Sequence, residues 1–142
     1  MKGESQRLFT AIALPDQHKK KLRHWVEQDL SNLSFRKWSD FRDYHVTLQF
    51  LGDVANSVIP KLEQALVHAA AEHRPFTLGM GPYRPHITVA RSYTGGEPVS
   101  ASVWQSDDRS GEPWEVGEFV LYATRMGQKP MYQIIQTFPL MR

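Results

Sequence analysis

Two segments of this chain carry the same short pattern, in which one apolar residue separates a histidine from a threonine. The pattern occurs in residues 44–51 (YHVTLQFL) and again in residues 84–91 (RPHITVAR). The chain has six histidines and seven threonines, so random placement yields only about 0.3 such triplets. Apolar and β-branched residues flank both copies, which is typical of β-strands. The sequence therefore predicts two similar strands, each presenting a histidine and a threonine.

Side chains alternate between the two faces of a strand, so each histidine shares a face with the threonine two residues later. These residues are His45 and Thr47 in the first copy, and His86 and Thr88 in the second. The apolar side chains of both copies point the other way and are expected to pack in the core: Val46, Leu48, Phe50, Ile87 and Val89. One face of each strand is predicted to be buried and the other to carry chemistry.

The two histidines suit acid–base catalysis if the fold brings them together. An imidazole has an ordinary pKa near 6.5, so at neutral pH one ring can be protonated while the other is neutral. Threonine hydroxyls beside them can donate hydrogen bonds to anionic oxygens, and this combination fits a phosphoryl group. A single histidine in a strand is more commonly a structural residue, and only the pairing favours catalysis. Two imidazoles without a third patterned ligand fall short of a catalytic zinc set, so no metal is expected.

The rest of the chain alternates between strand and helix patterns. We expect strands at 7–14, 76–80, 118–126 and 131–140, and helices at 17–33 and, capped by Ser57, at 57–72. The last two strands are expected to form a hairpin. Residues 92–113 are predicted to be a long polar connection, disordered around 106–111. Basic residues of the first helix are interpreted as a solvated face, with attraction of RNA as the alternative: Lys19, Lys20, Lys21 and Arg23.

Composition limits the classes of protein that this chain can represent. Its 142 residues fit a single domain, predicted to span 1–142. The net charge of +2 is too small for binding driven by bulk charge alone. The chain has no cysteine, which excludes disulfides and thiol nucleophiles and makes a cytoplasmic location the simplest expectation. Residues 1–21 do not resemble a signal peptide or a membrane span, so no membrane association is expected.

The two histidine motifs resemble those of the two-histidine (2H) phosphoesterases, in the branch of RNA 2′,3′-cyclic phosphodiesterases that are also called 2′–5′ RNA ligase-like. The resemblance rests on YHVTLQFLG at 44–52 and YRPHITVAR at 83–91. It extends to RLFTAIALP at 7–15 and to the last hairpin at 118–140. The fold that it implies is α+β, with two antiparallel sheets related by a pseudo-twofold axis, helices on the outer faces and a central cleft.

One departure from the family pattern is a shortened second lobe. In the family, about a strand pair and a helix separate the segment resembling FTLGMG from the segment resembling PYRPHITVAR. Here the two segments abut at Gly81-Pro82. Either the lobe has lost about one strand and one helix, or the molecule contains residues that this sequence lacks. We favour the second interpretation, because such a loss should expose apolar sheet surface.

The resemblance also implies an activity and a role for each motif residue. The activity is metal-independent hydrolysis of a 2′,3′-cyclic phosphate, on RNA or a nucleotide, to a 2′-phosphate, with reverse 2′–5′ RNA ligation as a further reaction. His45 would be the proton donor to the departing 3′ oxygen, and His86 the proton acceptor from the attacking water. Thr47 and Thr88 would bind the nonbridging oxygens. No cofactor is implied, the partner is an RNA end or a cyclic nucleotide, and a monomer is expected.

Three residues near the two strands are further candidates for contacts with phosphate or base: Arg42, Tyr83 and Arg91. Arg91 points away from His86 in simple alternation, so a surface charge is an equal alternative for it. Two other functions stay open. Misplacement of His86 by about 1 Å can cost on the order of a hundredfold in rate, which would leave an RNA-end binding module with little turnover. The other is a cyclic phosphodiesterase acting on a small nucleotide.

Overall fold

The first strand of the chain lies in the middle of a four-stranded antiparallel sheet, next to strands that come much later in the sequence. The computed structural model describes residues 4–78, 87–95 and 113–141. The order across the sheet is β3-β1-β7-β8. The strands have these bounds: β1 Ser5–Ala13, β3 His45–Ala55, β7 Glu118–Thr124 and β8 Tyr132–Pro139.

β1 is buried on both faces. Its apolar residues occupy consecutive positions and therefore point to both sides of the sheet. Leu8 and Ile12 face the main core, which the helices cover. Phe9 and Ala11 face the other way and form a second apolar cluster with residues of β7. A strand that reads as a near-continuous apolar run is expected at the centre of a sheet covered on both sides. His45 of β3 packs against this second cluster, through the rings of Phe9 and Tyr122.

Two helices contribute apolar side chains to the main core. Helix α1 spans Asp16–Trp25 and continues as a π-helical turn, Val26–Leu30, and helix α2 spans Ile59–Ala71. Both predicted helices are therefore present, although the first ends earlier than 33. The predicted cap at Ser57 is wrong, since Val58 occupies the cap position and makes no side-chain hydrogen bond there. Neither helix is long and apolar enough to cross a membrane, among the residues that the structure describes.

Two short antiparallel ribbons complete the described part of the fold. Strand β2 (Phe35–Trp38) pairs with β5 (Ala90–Tyr93), and β4 (Phe76–Leu78) pairs with β6 (Trp114–Val116). The second histidine strand was expected at 84–91. Residues 84–86 lie outside the described residues, residues 87–89 are not part of a strand, and the ladder with β2 begins at Ala90. The predicted disorder at 106–111 and the junction Gly81-Pro82 also lie outside the described residues.

β3 departs from simple alternation. Its ladder with β1 skips Leu51 and Leu48, so two bulges interrupt the register, and each bulge changes the face that the following residues occupy. Phe50 pairs with Phe9 and shares its face. The prediction that Leu48 and Phe50 pack in the core is wrong, because their side chains are 50% and 62% exposed. Leu51, the unpaired residue of one bulge, and Val54, further along β3, pack against the core instead.

The closing hairpin forms as predicted. β7 pairs with β8 from Glu118 opposite Pro139 to Thr124 opposite Tyr132. Gly127, in the turn between these strands, has a φ of +80°, which favours glycine. The hairpin adds its apolar side chains to both faces of the sheet. Antiparallel sheets combined with two separate helices confirm the α+β class predicted from the sequence.

Candidate active site

His45 lies at the start of β3, and both of its ring nitrogens have hydrogen-bond partners. Nδ1 lies 2.7 Å from the main-chain oxygen of Asp43, and Nε2 lies 2.9 Å from the hydroxyl oxygen of Thr47. A carbonyl oxygen only accepts, so Nδ1 carries the hydrogen of that bond. In the neutral ring, Nε2 is therefore the basic nitrogen and accepts from Thr47. When the ring is protonated, Nε2 becomes a donor beside the threonine hydroxyl.

Aromatic rings from three strands surround the imidazole. The centroid of the His45 ring lies 5.0 Å from that of Phe9, 5.7 Å from that of Tyr122 and 5.3 Å from that of Tyr132. These residues come from β1, β7 and β8, so the central sheet brings them together. Aromatic packing at these distances is favourable and directional. The rings fix the plane of the imidazole.

Asp43 is a buried acid next to the histidine, and no sequence motif marks it. It ends a 3₁₀ turn, Phe41–Asp43, and is only 7% exposed. Its carboxylate accepts hydrogen bonds from the main-chain N–H groups of Met131 and Tyr132, at 2.8 and 3.1 Å. The carboxylate thus joins the turn before β3 to the start of β8. An aspartate in a polar stretch is typical of an exposed surface. The sequence distinguishes Asp43 only by its position two residues before His45.

The site opens into a cleft with two adjoining chambers, of about 270 Å³ and about 350 Å³. Of the residues that the structure describes, five line both chambers: Lys37, His45, Thr88, Met131 and Tyr132. Thr47 lines the larger chamber. The structure therefore brings three of the predicted motif residues, His45, Thr47 and Thr88, to one cleft.

Several lining residues were not predicted. Lys37 on β2 faces both chambers, and Lys129 lies on the wall of the smaller one. Trp38 lines the smaller chamber, and the exposed Phe50 lines the larger one because of the bulges in β3. The cleft thus combines ammonium groups with aromatic surface. Lys37 has no distinguishing signal in the sequence, since it lies in a polar stretch before the first histidine strand.

Arg42 is held by Asp40. Its Nε and Nη2 donate to the two carboxylate oxygens at 3.0 and 2.9 Å, and its main-chain N–H donates to Oδ1 at 2.9 Å. The hydrogen bond from the guanidinium lowers the pKa of Asp40 below its ordinary value of 3.8. The structure places Asp40 in the lining of the smaller chamber and Arg42 in neither lining.

The other predicted site residues are less fully described. His86 and Tyr83 lie outside the described residues. Arg91 is a residue of β5 and is paired in register with Lys37. Two buried phenols, Tyr44 and Tyr122, have pKa values raised to about 12, mainly because burial disfavours the charged phenolate. Tyr122 therefore contributes a neutral ring to the site at any ordinary pH.

Comparison with known protein families gives a match over the first half of the chain. A family model described as LigT-like phosphoesterase matches residues 12–81. An RNA 2′,3′-cyclic phosphodiesterase of Geobacillus stearothermophilus is 29% identical over 178 aligned positions, which cover 94% of this chain and 57% of that protein. An RNA 2′,3′-cyclic phosphodiesterase of Bacillus subtilis is 29% identical over 154 positions, covering 76% of this chain and 82% of the relative.

The alignments also bear on the length of the chain. This chain spans little more than half the length of the G. stearothermophilus protein. Both alignments are longer than the 142 residues available here. Each relative therefore has internal positions that have no counterpart in this sequence.

Solved structures share the fold. Crystal structures of E. coli LigT complexed with phosphate and with 3′-AMP superpose with TM-scores of 0.71 and 0.70, at 23% and 22% identity. Both superpositions cover 98% of this chain, and they cover 99% and 100% of the LigT chains. The α+β architecture described above is therefore the fold of these LigT structures.

Proposed function

We propose that this chain is a LigT-like phosphoesterase and that it hydrolyses a 2′,3′-cyclic phosphate on RNA or a nucleotide to a 2′-phosphate. The observation that carries the proposal is the set of His45, Thr47 and Thr88 around one cleft, with Nε2 of the imidazole next to a hydroxyl group. The name of both curated relatives, RNA 2′,3′-cyclic phosphodiesterase, supports the same reaction.

The proposed reaction is an in-line displacement at phosphorus. Water forms a bond to phosphorus while the bond from phosphorus to the 3′ oxygen breaks. His86 accepts the proton of the water, and His45 donates the proton that the departing 3′ oxygen needs. For His45 to act in this way its Nε2 must carry the proton, and the hydrogen bond from Nδ1 to Asp43 leaves Nε2 facing the cleft.

Two threonines stabilise the negative charge that develops on the phosphoryl oxygens. Thr47 and Thr88 each donate a hydroxyl hydrogen bond to a nonbridging oxygen. Lys37, which lines both chambers, adds a positively charged side chain to the cleft. Arg42, Tyr83 and Arg91 remain candidates for additional contacts with phosphate or base. For Arg42 such a contact requires its guanidinium to release Asp40.

The substrate is an RNA end carrying the cyclic phosphate, or the corresponding nucleotide, and reverse 2′–5′ ligation uses the same groups. E. coli LigT has been crystallised in complex with 3′-AMP, a nucleotide with a phosphate at the 3′ position. We further propose a single two-lobed domain over 1–142 that acts as a monomer and needs no cofactor.

A second candidate is an RNA-end binding module with little turnover. The observation that favours it is the internal segment that both curated relatives have and this chain lacks. If the missing segment normally places the second histidine, binding survives while the rate falls. A phosphodiesterase restricted to small cyclic nucleotides is the third possibility.

One assay separates these functions. The protein is incubated with EDTA and a 2′,3′-cyclic mononucleotide, and separately with a short RNA ending in the cyclic phosphate, and the product is identified by ³¹P NMR. The variants are His45→Ala and, as a matched control, His68→Ala, an exposed histidine on α2 paired with Glu72. Formation of a 2′-phosphate that disappears only in His45→Ala supports the proposal. Binding of the RNA without turnover identifies the module, and turnover of the mononucleotide alone identifies the third function.

A further inference from the structure

We infer that Asp43 is a positioning residue for His45, holding the start of β8 against the turn that precedes β3. The inference rests on the proposed function only in treating His45 as the reactive group. It concerns contacts that neither the family resemblance nor the histidine motif predicted. The structural relationship itself can be tested without any substrate.

The first observation is the environment of the carboxylate. Asp43 is 7% exposed, and each of its two oxygens accepts one main-chain N–H, from Tyr132 and from Met131. Hydrogen bonds to a charged acceptor are stronger than neutral ones. A buried carboxylate without such donors would be costly. The geometry therefore joins two segments that are 88 and 89 residues apart in the sequence.

The second observation is that both of these segments touch the imidazole. The main-chain oxygen of Asp43 accepts from Nδ1 of His45 at 2.7 Å. The residue whose N–H the carboxylate binds, Tyr132, places its ring 5.3 Å from the imidazole at an interplanar angle of 87°. If the carboxylate is lost, no side-chain hydrogen bond from Asp43 joins the two groups that contact His45, which are the main-chain oxygen of Asp43 and the ring of Tyr132. Both groups then gain freedom to move, and Nε2 is no longer held in one direction.

The third observation concerns charge. The carboxylate is the negative group nearest to His45 in sequence, and the two residues line the same chamber. An opposite charge close to an imidazole favours its protonated form, which is the form that a proton donor needs. Other ionisable groups also face the two chambers from the elements packed around His45: Arg7, Lys37, Asp40, Lys129 and Tyr132. Tyr122 contacts the ring directly. Replacement of Asp43 alone removes none of these other ionisable groups.

The test is the variant Asp43→Asn, which keeps the size of the side chain and removes its charge. The ring of His45 is followed by NMR as a function of pH, with its signals assigned by their absence in His45→Ala. We expect the titration midpoint of His45 to fall by about 0.5–1 pH unit, because the neighbouring negative charge is gone. In the activity assay we expect kcat to fall about 10- to 100-fold, since a small displacement of a catalytic group has that effect. KM should stay within about threefold, as expected for loss of an interaction used only in the transition state.

The matched control is Asp29→Asn, which removes one negative charge from an exposed residue of the π-helical turn, away from the cleft. It should leave the His45 midpoint, kcat and KM unchanged. A purely structural role for Asp43 predicts a different outcome, in which the stability of the variant falls but the midpoint and kcat of its folded fraction match the wild type. That result overturns the inference.

If Asp43→Asn does not fold, the wild-type protein supplies the test. The amides of Met131 and Tyr132 should be protected from hydrogen exchange, and the ¹⁵N shifts of neutral His45 should show the proton on Nδ1. Rapid exchange of both amides, or a proton on Nε2 in the neutral ring, contradicts the inference. A shifted midpoint in a protein that hydrolyses nothing would instead support the positioning role and reject the proposed reaction, so the two failures are distinguishable.

Discussion

The ring of Tyr132 stands perpendicular to the imidazole of His45, with their centroids 5.3 Å apart. Phe9 packs against both rings, 4.9 Å from Tyr132 and 5.0 Å from His45. The three residues come from three different strands, and rotation of the imidazole would displace the ring of Phe9 or of Tyr132. A catalytic group that is already oriented avoids the cost of ordering it during the reaction.

The proposed reaction requires one protonated and one neutral histidine. Activity should therefore rise and then fall with pH, with a maximum between about pH 5 and 8 for groups with ordinary pKa values. His45→Ala should lose mainly the dependence on the protonated group and should lower the rate by about 10²–10⁴-fold. His86→Ala should lose mainly the dependence on the neutral group. Initial rates across this range, measured with EDTA present and ribonuclease excluded, check the prediction. Near-normal turnover in either variant would falsify the two-histidine mechanism.

The two threonines are expected to contribute to the rate and not to stability. Thr47 is exposed and Thr88 is partly buried, and both line the cleft. Thr47→Ala and Thr88→Ala should each lower kcat/KM by about ten- to a hundredfold, because a hydrogen bond to a charged acceptor is worth roughly 1.5–3 kcal/mol. Urea denaturation should show unfolding midpoints close to that of the wild type. Unchanged turnover in both variants would remove the hydroxyls from the mechanism.

The ion pair between Asp40 and Arg42 should make a contribution to the free energy of unfolding that depends on pH. Because the guanidinium lowers the pKa of Asp40 below 3.8, the stabilisation is complete above that value and is lost as the pH falls through the lowered pKa. Asp40→Asn should therefore be less stable than the wild type at pH 7, and the difference should shrink towards pH 2.5. Urea denaturation of both proteins at the two pH values measures it. An equal difference at both values would contradict the prediction.

The two buried phenols predict the behaviour at alkaline pH. Tyr44 and Tyr122 have pKa values of about 12, so the folded protein should show a late step of tyrosinate absorbance beyond the ordinary range near 10. Stability should fall as the pH rises from about 10 towards 12, since the unfolded chain loses these protons first. Tyr122→Phe should reduce the late step, and in urea the step should merge with the ordinary one. A late step of the same size in the variant would reject the assignment.

The packing of the hairpin gives a stability prediction that is independent of function. Phe138 on β8 is fully buried and stacks on Phe119, with centroids 5.1 Å apart. Phe138→Ala should lower the free energy of unfolding by about 3–5 kcal/mol. The control on the same strand is Ile134→Ala, whose side chain is 49% exposed and should cost clearly less. Equal decreases in the free energy of unfolding for the two variants would contradict the burial of Phe138 in the core.

The sequence predicted the elements well because apolar periodicity is local. Both helices and the closing hairpin were recognised from residues that are neighbours in the chain. The histidine and threonine repeat is also a local signal, and three of its residues line one cleft: His45, Thr47 and Thr88. The pattern failed on Leu48 and Phe50, whose orientation depends on two bulges that arise only when β3 pairs with β1.

The contacts of the Asp43 carboxylate could not be predicted from the sequence for the same reason. The carboxylate binds N–H groups 88 and 89 residues away, and no pattern near the aspartate indicates which distant segment will meet it. Lys37 is similar, because its position at the cleft follows from the pairing of β2 with β5. The motif could be found from the sequence, whereas the groups that orient it could be found only from the fold.

The central position of β1 has a consequence for the synthesis of the chain on the ribosome. β1 leaves the ribosome before its partner β7 and the neighbouring β8, which come more than a hundred residues later. Until they emerge, one edge of β1 is unpaired and the rings of Tyr122 and Tyr132 are absent from the site. Nascent chains that stop before this hairpin would expose an apolar strand edge, the kind of surface that chaperones protect. The cleft around His45 thus exists only in chains whose translation has passed β8.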